Sequence, residues 1–224
     1  RLGIPALIHC EASAGAQFTE ADVFPSAIAQ ASTFDTEVVG EMTDIIRKQM
    51  YYVGFRQALS PVVDITRDPR WGRITETYGE DAALTSAMAS AFVKGIQGDE
   101  LKEGVLATAK HFAGHGITEG GLNMGRNIVS ERDMREIHCK PFQCAITEAG
   151  LKSVMNSYCS VNGEPVVGSK KMLTDILRGE MGFQGFVVSD YLSLDRLVDP
   201  FAVAENFEEA GIRAIQAGLD VEYP

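Results

Sequence analysis

The chain has 224 residues, 45% of them hydrophobic and 23% charged, and its 31 acidic against 20 basic side chains give a formal net charge of −11. With no Lys/Arg cluster to offset it, that charge repels phosphate backbones and anionic lipid, which argues against nucleic acid and the membrane surface as partners; no apolar stretch approaches the roughly 20 residues of a bilayer span. Cys10, Cys139, Cys144 and Cys159 are scattered, with no C-x-x-C pair and no Cys/His ligand spacing, so no metal, no cofactor and no disulfide framework is expected.

The opening residues, Arg1-Leu2-Gly3-Ile4-Pro5-Ala6-Leu7-Ile8-His9, read as the lead into an interior strand at 6–8 and predict a chain that begins inside a domain, with Glu11 just past the strand. Thr36–Val53 carries Val38, Val39, Met42, Ile45, Ile46 and Met50 on one helical stripe, and Asp35 or Thr36 can cap its first turn. A second strand-like run, 59–65, leads into Thr66-Arg67-Asp68-Pro69-Arg70-Trp71-Gly72-Arg73, followed by a helical segment at 81–96. The run 105–109 opens into Ala109-Lys110-His111-Phe112-Ala113-Gly114-His115-Gly116, and a helix is predicted over 131–149. Strand 153–156 precedes Ser157-Tyr158-Cys159, a helix is predicted over 169–180, and Gly185-Phe186-Val187-Val188-Ser189 runs directly into Asp190. A last helix at 202–217 and a strand at 218–222 complete the alternation. Strands separated by helical segments predict a parallel sheet covered by helices, and this length suits one domain; Arg1 to Pro224 reads as most of a (β/α)8 barrel of the TIM type, an α/β fold.

In such sheets the carboxyl ends of the strands open onto the ligand site, so polar residues there are candidates for chemistry. Asp190 at a strand mouth can serve as a nucleophile, a general base, a metal ligand or the N-cap of the next helix. Tyr158 places a phenol within reach of such a carboxylate, or is a packed ring with a satisfied hydroxyl. Lys110 and His111 can bind hydroxyls and favour a nearby ionised carboxylate; alternatively Lys110 balances a buried acid. His115 reads equally well as a site residue and as a solvated loop residue. Trp71 among three arginines suits a sugar, whose C–H groups stack on an aromatic face while guanidinium forks bind hydroxyls, against the alternative of an ion-paired surface loop. Glu11 adds a carboxylate at the same rim, or is a surface or capping acid. The convergence of Glu11, Arg73, Lys110, His111, Tyr158 and Asp190 carries more than any one of them.

These residues resemble the N-terminal catalytic domain of glycoside hydrolase family 3, of the β-glucosidase and β-xylosidase type. The resemblance runs through RLGIPALIHCE, ALSPVVDITRDPRWGRITETYGED, ATAKHFAGHG, KSVMNSY, LRGEMGFQGFVVSDY and AGLDVEYP, essentially the whole chain. It implies that Asp190 is the catalytic nucleophile of an S-D-[WY] element and that Glu11, Arg73, Lys110, His111 and Tyr158 form the subsite for a terminal, non-reducing sugar; Arg67 and Asp68 are assigned to the scaffold. Two departures stand out. Ala14 occupies the place where an E-x-x-H-G pattern would put His, and the segment after Lys110 lacks the Asp-Ser-His continuation of the β-N-acetylglucosaminidase branch, so that Glu119-Gly120-Gly121 is more similar to the glucosidase and xylosidase branch.

The reaction so implied is retaining, exo-acting hydrolysis of β-D-glucosyl or β-D-xylosyl residues from an oligosaccharide or aryl β-glycoside through a covalent glycosyl-Asp190 intermediate. A retaining glycosidase also needs a protonated acid about 5–5.5 Å from the nucleophile. None is evident in the sequence, which predicts that the acid/base comes from a following domain, that residues 1–224 are a barrel fragment lacking a first strand and helix, and that its open edges invite homo-oligomers. The alternatives are a non-catalytic carbohydrate-binding barrel and a phosphate-handling barrel enzyme; the acidic Gly218-Leu219-Asp220-Val221-Glu222 argues against the latter. Compartment is left open, with a slight preference for a soluble cytoplasmic protein.

Overall fold

Apolar strands without polar alternation are stable only when both faces are covered. The computed structural model, which describes Gly3 and residues 5–223, meets that requirement with a five-stranded parallel sheet. Its strands are β1 (His9–Cys10), β2 (Gln57–Ala58), β3 (Leu106–Phe112), β4 (Ser153–Asn156) and β5 (Phe186–Val188), hydrogen-bonded in that order. Val188 also bridges in parallel to Val221. The outer members approach each other through side chains: the His9 ring stacks on Tyr223 at 4.5 Å and bonds the Tyr191 hydroxyl at 3.0 Å, while the Tyr223 hydroxyl donates to Gln57 Oε1 at 2.8 Å. The fold is therefore mixed α/β around a parallel sheet, whose five strands and the bridge at Val221 give one position for each of the six strand-like runs of the sequence. The reading of Arg1, Leu2, Ile4 and Pro224 lies outside the described residues.

Helix α1 (Thr36–Val53) has the predicted bounds, because Asp35 Oδ1 accepts from the Glu37 and Val38 amides and Gly54 ends it in the left-handed region at φ 98°. It buries Val39, Met42, Ile46 and Met50 against α2 (Ala82–Gln97), which packs in turn on α3 (Lys140–Ala149); Val38 and Ile45 flank the stripe and stay exposed. The expected helix over 131–149 is broken into a turn at Glu131–Asp133, a π-type turn at Met134–His138 and α3. Pro141 lacks the amide that a continuous helix would use and sits instead in the first turn of a new one. A π-type helix spans Lys171–Glu180, and α4 starts at Phe207 rather than 202 because Asn206 caps it, accepting from the Glu209 amide.

Four strand readings also shift: the run 105–109 becomes a strand reaching Phe112, the run 218–222 makes only the isolated bridge at Val221, and the first two runs move as well. The first strand forms at His9–Cys10, not 6–8. The run 59–65 is buried, yet only β2 just before it is a regular strand, since Pro61 cannot donate to a ladder; Val62 instead makes an isolated bridge to Lys110. Entry into β5 is tight: a Cβ at Gly185 would lie 2.1 Å from the Lys152 carbonyl oxygen and 2.6 Å from the Phe183 ring. Gly185→Ala is expected to cost about 2–3 kcal/mol, a fall of roughly 5–10 °C in the melting temperature. Calorimetry on the full-length gene product checks this, and an unchanged midpoint would show that the strand entry has room to spare.

Candidate active site

Each strand mouth contributes one part of a single cluster. Past β1, the Ala12 amide donates to Ser60 Oγ at 3.2 Å and Ser13 Oγ meets the same hydroxyl at 2.9 Å, which ties this segment to the chain after β2 and sets Glu11 at the rim. On β3, successive side chains would ordinarily alternate between faces; the register with β4 shifts between Ala109 and Phe112, and both Lys110 and His111 join the cluster. Lys110 is buried and its ammonium donates to Glu11 Oε1 at 2.5 Å. Arg73 forms a two-pronged pair with Glu76, both contacts at 2.8 Å. Burial opposes the charge of both partners, but the pair overrides it, holding Glu76 below and Arg73 above their ordinary values.

His111 is fully enclosed between two carboxylates. Its Nδ1 lies 2.7 Å from Asp64 Oδ2, which also accepts the His111 amide at 3.1 Å, and its Nε2 lies 3.5 Å from Asp190 Oδ2. Asp190 leaves β5 with its side chain 8% exposed; Oδ1 accepts the Tyr191 amide at 2.8 Å, while Oδ2 is buried without a hydrogen-bond partner. Burial raises the Asp190 carboxyl above its ordinary value, and this prevails over the Tyr158 hydroxyl, the Tyr191 amide, Lys110 and Arg73, which all pull it down. Neither cation pairs with Asp190 directly: each is taken by another carboxylate and acts through space. Burial also pushes Asp64 up to about 7 and holds His111 well below the usual imidazole range, with His115, Arg73 and Lys110 adding to the latter.

The six residues singled out from the sequence thus come together, with one change in detail at Tyr158 and two at their neighbours Trp71 and His115. Tyr158 is half-buried beside Asp190, but its single proton goes to the Tyr191 carbonyl at 2.8 Å, so that it influences Asp190 by proximity rather than as a committed donor. Trp71 is only 2% exposed and meets His115 edge-on at 5.2 Å, so no free indole face is offered to a sugar. His115 is buried as well, tilted against His111 with ring centres 4.7 Å apart and bonded through Nε2 to Asn123. Arg70 and Asp68 pair with each other on the surface, as the ion-paired reading of that loop anticipated. Asp64 and Glu76 were missed, though an acid inside the apolar run Val62-Val63-Asp64-Ile65 is itself a signal, because a buried carboxyl needs a partner. Ala14 lines a cleft of about 430 Å³ beside Glu11, with Ser13, Gln17, Ser26, Thr75 and Glu76. Among the described residues, no group of His, Cys, Asp and Glu is arranged to hold a metal ion, the four cysteines are free, and no helix is long and apolar enough to cross a membrane.

The sequence is 39% identical over 232 residues to a β-xylosidase of Formosa agariphila, covering 99% of this chain and 32% of that protein. It is 34% identical over 201 residues to a periplasmic β-glucosidase of Salmonella typhimurium, covering 89% of this chain and 26% of that one. The fold superposes with a TM-score of 0.93, at 35% identity, on a Listeria innocua β-glucosidase crystallised with laminaribiose, over 99% of this chain and 30% of the other. The chain therefore spans between about a quarter and a third of the length of these proteins. A periplasmic relative gives the slight preference for the cytoplasm no support. The family model for the glycosyl hydrolase family 3 N terminal domain matches residues 1–224, and with the parallel-sheet fold and the clustered acids and cations at its strand mouths, the chain belongs to that family of β-glucosidases and β-xylosidases.

Proposed function

We propose that residues 1–224 supply the nucleophile half of a retaining exo-β-glycosidase, in a barrel domain that acts on terminal non-reducing β-D-glucosyl or β-D-xylosyl residues. The observation that carries the reading is the environment of Asp190: a buried carboxylate oxygen with no hydrogen-bond partner, at a strand mouth, ringed by Lys110, His111, Arg73 and Tyr158. An oxygen so placed is free to attack. Asp190 Oδ2 bonds to the anomeric carbon as the bond to the leaving oxygen breaks, and water then hydrolyses the glycosyl ester with net retention. Lys110, with Glu11, and Arg73, with Glu76, present donors and acceptors suited to the hydroxyls of the same sugar.

The leaving oxygen needs a proton. Glu11 and Glu76 are committed to cations and Asp64 to His111, so the general acid is assigned to a part of the full-length protein beyond these residues. A sugar-binding barrel without catalysis would have no use for a buried acceptor left unpaired, which favours the enzyme. The test is incubation of the full-length gene product with a 2-deoxy-2-fluoro glucoside or xyloside bearing an activated leaving group. Stoichiometric inactivation with the label on the peptide containing Asp190 is expected; a label on another residue, or turnover without inactivation, rejects the assignment.

A further inference from the structure

The imidazole of His111 touches a carboxylate at each nitrogen, and the two contacts constrain where its protons sit. Asp190 Oδ2 is buried, unpartnered and 3.5 Å from Nε2. With Asp190 ionised, as attack requires, a lone pair on Nε2 would set two acceptors facing each other in a dry site, so in the reactive state Nε2 carries hydrogen. Nδ1, 2.7 Å from Asp64 Oδ2, then either accepts from a protonated Asp64 or, as an imidazolium, donates to an ionised one. In both arrangements one proton lies between Asp64 and Nδ1 and the pair is neutral overall.

We infer that Asp64 is a positioning residue for the reaction: by holding that proton against Nδ1 it keeps Nε2–H of His111 aimed at Asp190 and at the sugar bound there. The inference rests on the reading of Asp190 as nucleophile. Asp64 itself, 2% exposed, touches no substrate and acts only through the ring. Burial of both groups favours the neutral form of the pair, in which Asp64 is the acid. The charged and titratable groups around it are Lys110, His115 in the turn after β3, Arg73 and Glu76 on the loop after residue 65, Cys159 beyond β4 and Asp190 beyond β5. When the shared proton is lost at higher pH, His111 keeps one hydrogen, Asp64 becomes the stronger acceptor, and the hydrogen moves to Nδ1. Nε2 is then bare and opposes Asp190.

Asp64→Asn mimics that high-pH state. The His111 amide is a fixed donor to the position of Oδ2, so the asparagine must turn its carbonyl oxygen there, and Nδ1, facing that oxygen, takes the hydrogen. In the full-length gene product, assayed with a dinitrophenyl glycoside whose departure needs no acid, Asp64→Asn is expected to lower kcat/KM by about 10–100-fold. Its profile should also be flat across the neutral range in which the wild-type value declines with rising pH. Neutron diffraction from wild-type crystals should place hydrogen on Nε2 of His111, and crystals of Asp64→Asn should place it on Nδ1 alone. A wild-type ring with bare Nε2, or a variant with wild-type kcat/KM and an unchanged pH profile, overturns the inference. Should the variant fail to fold, the wild-type proton position decides by itself. Failure of the nucleophile reading would show separately, as fluoro-sugar labelling away from Asp190 with the proton positions unaffected.

Discussion

Asp190→Asn in the full-length gene product is expected to lose about 10⁴-fold or more in kcat on aryl β-glucoside and β-xyloside, with the melting temperature little changed. An amide cannot form the glycosyl ester, and the isosteric side chain keeps the bond from the Tyr191 amide, so the loss falls on chemistry rather than packing. A second variant adds direction to the same result. Asp190→Gly empties the position, and azide supplied with an activated β-glycoside should enter from the vacated face to give the α-glycosyl azide. Retained activity in Asp190→Asn, or a β-azide product, would remove the carboxylate from the nucleophile's role.

Lys110→Met should produce the second-largest effect, a fall of about 10²–10³-fold in kcat/KM, since a buried charged donor beside the sugar and the nucleophile is lost. Part of the loss takes the form of a displaced pH profile. Asp190 already sits above the ordinary carboxylate value because burial outweighs the charges that oppose it, and Lys110 is one of those charges. Activity that needs ionised Asp190 disappears as pH falls through that raised value. Removing the lysine raises it further and moves the acid limb of kcat/KM to higher pH. The folded state also loses a buried cation paired with Glu11 at 2.5 Å; because Glu11 is 35% exposed, water relieves much of the strain, and the loss is about 1–3 kcal/mol. An acid limb that stayed in place would show that the lysine does not help to hold Asp190 charged.

Elements whose patterns are settled within one segment were legible in the sequence: the Thr36–Val53 stripe with its Asp35 cap, and the apolar runs that deliver Lys110, His111 and Asp190 to strand mouths. What failed depended on partners distant along the chain. Whether Trp71 shows a face or an edge is decided by His115, and whether the Tyr158 proton reaches Asp190 is decided by the Tyr191 carbonyl that accepts it. Pro61 was visible and its consequence for the 59–65 ladder could have been read. So could Pro141 as a helix start. The missed Asp64 and Glu76 are a different case, because their roles follow from the residues they hold, and those had already been named.

The stacking of His9 on Tyr223 joins two side chains separated by nearly the whole length of the sequence. On a ribosome, the early strands emerge long before the ring that completes this contact, so the curved sheet stays open along one side until synthesis has passed it. The rim that gathers Glu11, Lys110 and Asp190 is thus completed only once Tyr223 has emerged, and a nascent chain paused before Tyr223 should hold its inner layer exposed to solvent, chaperone or protease.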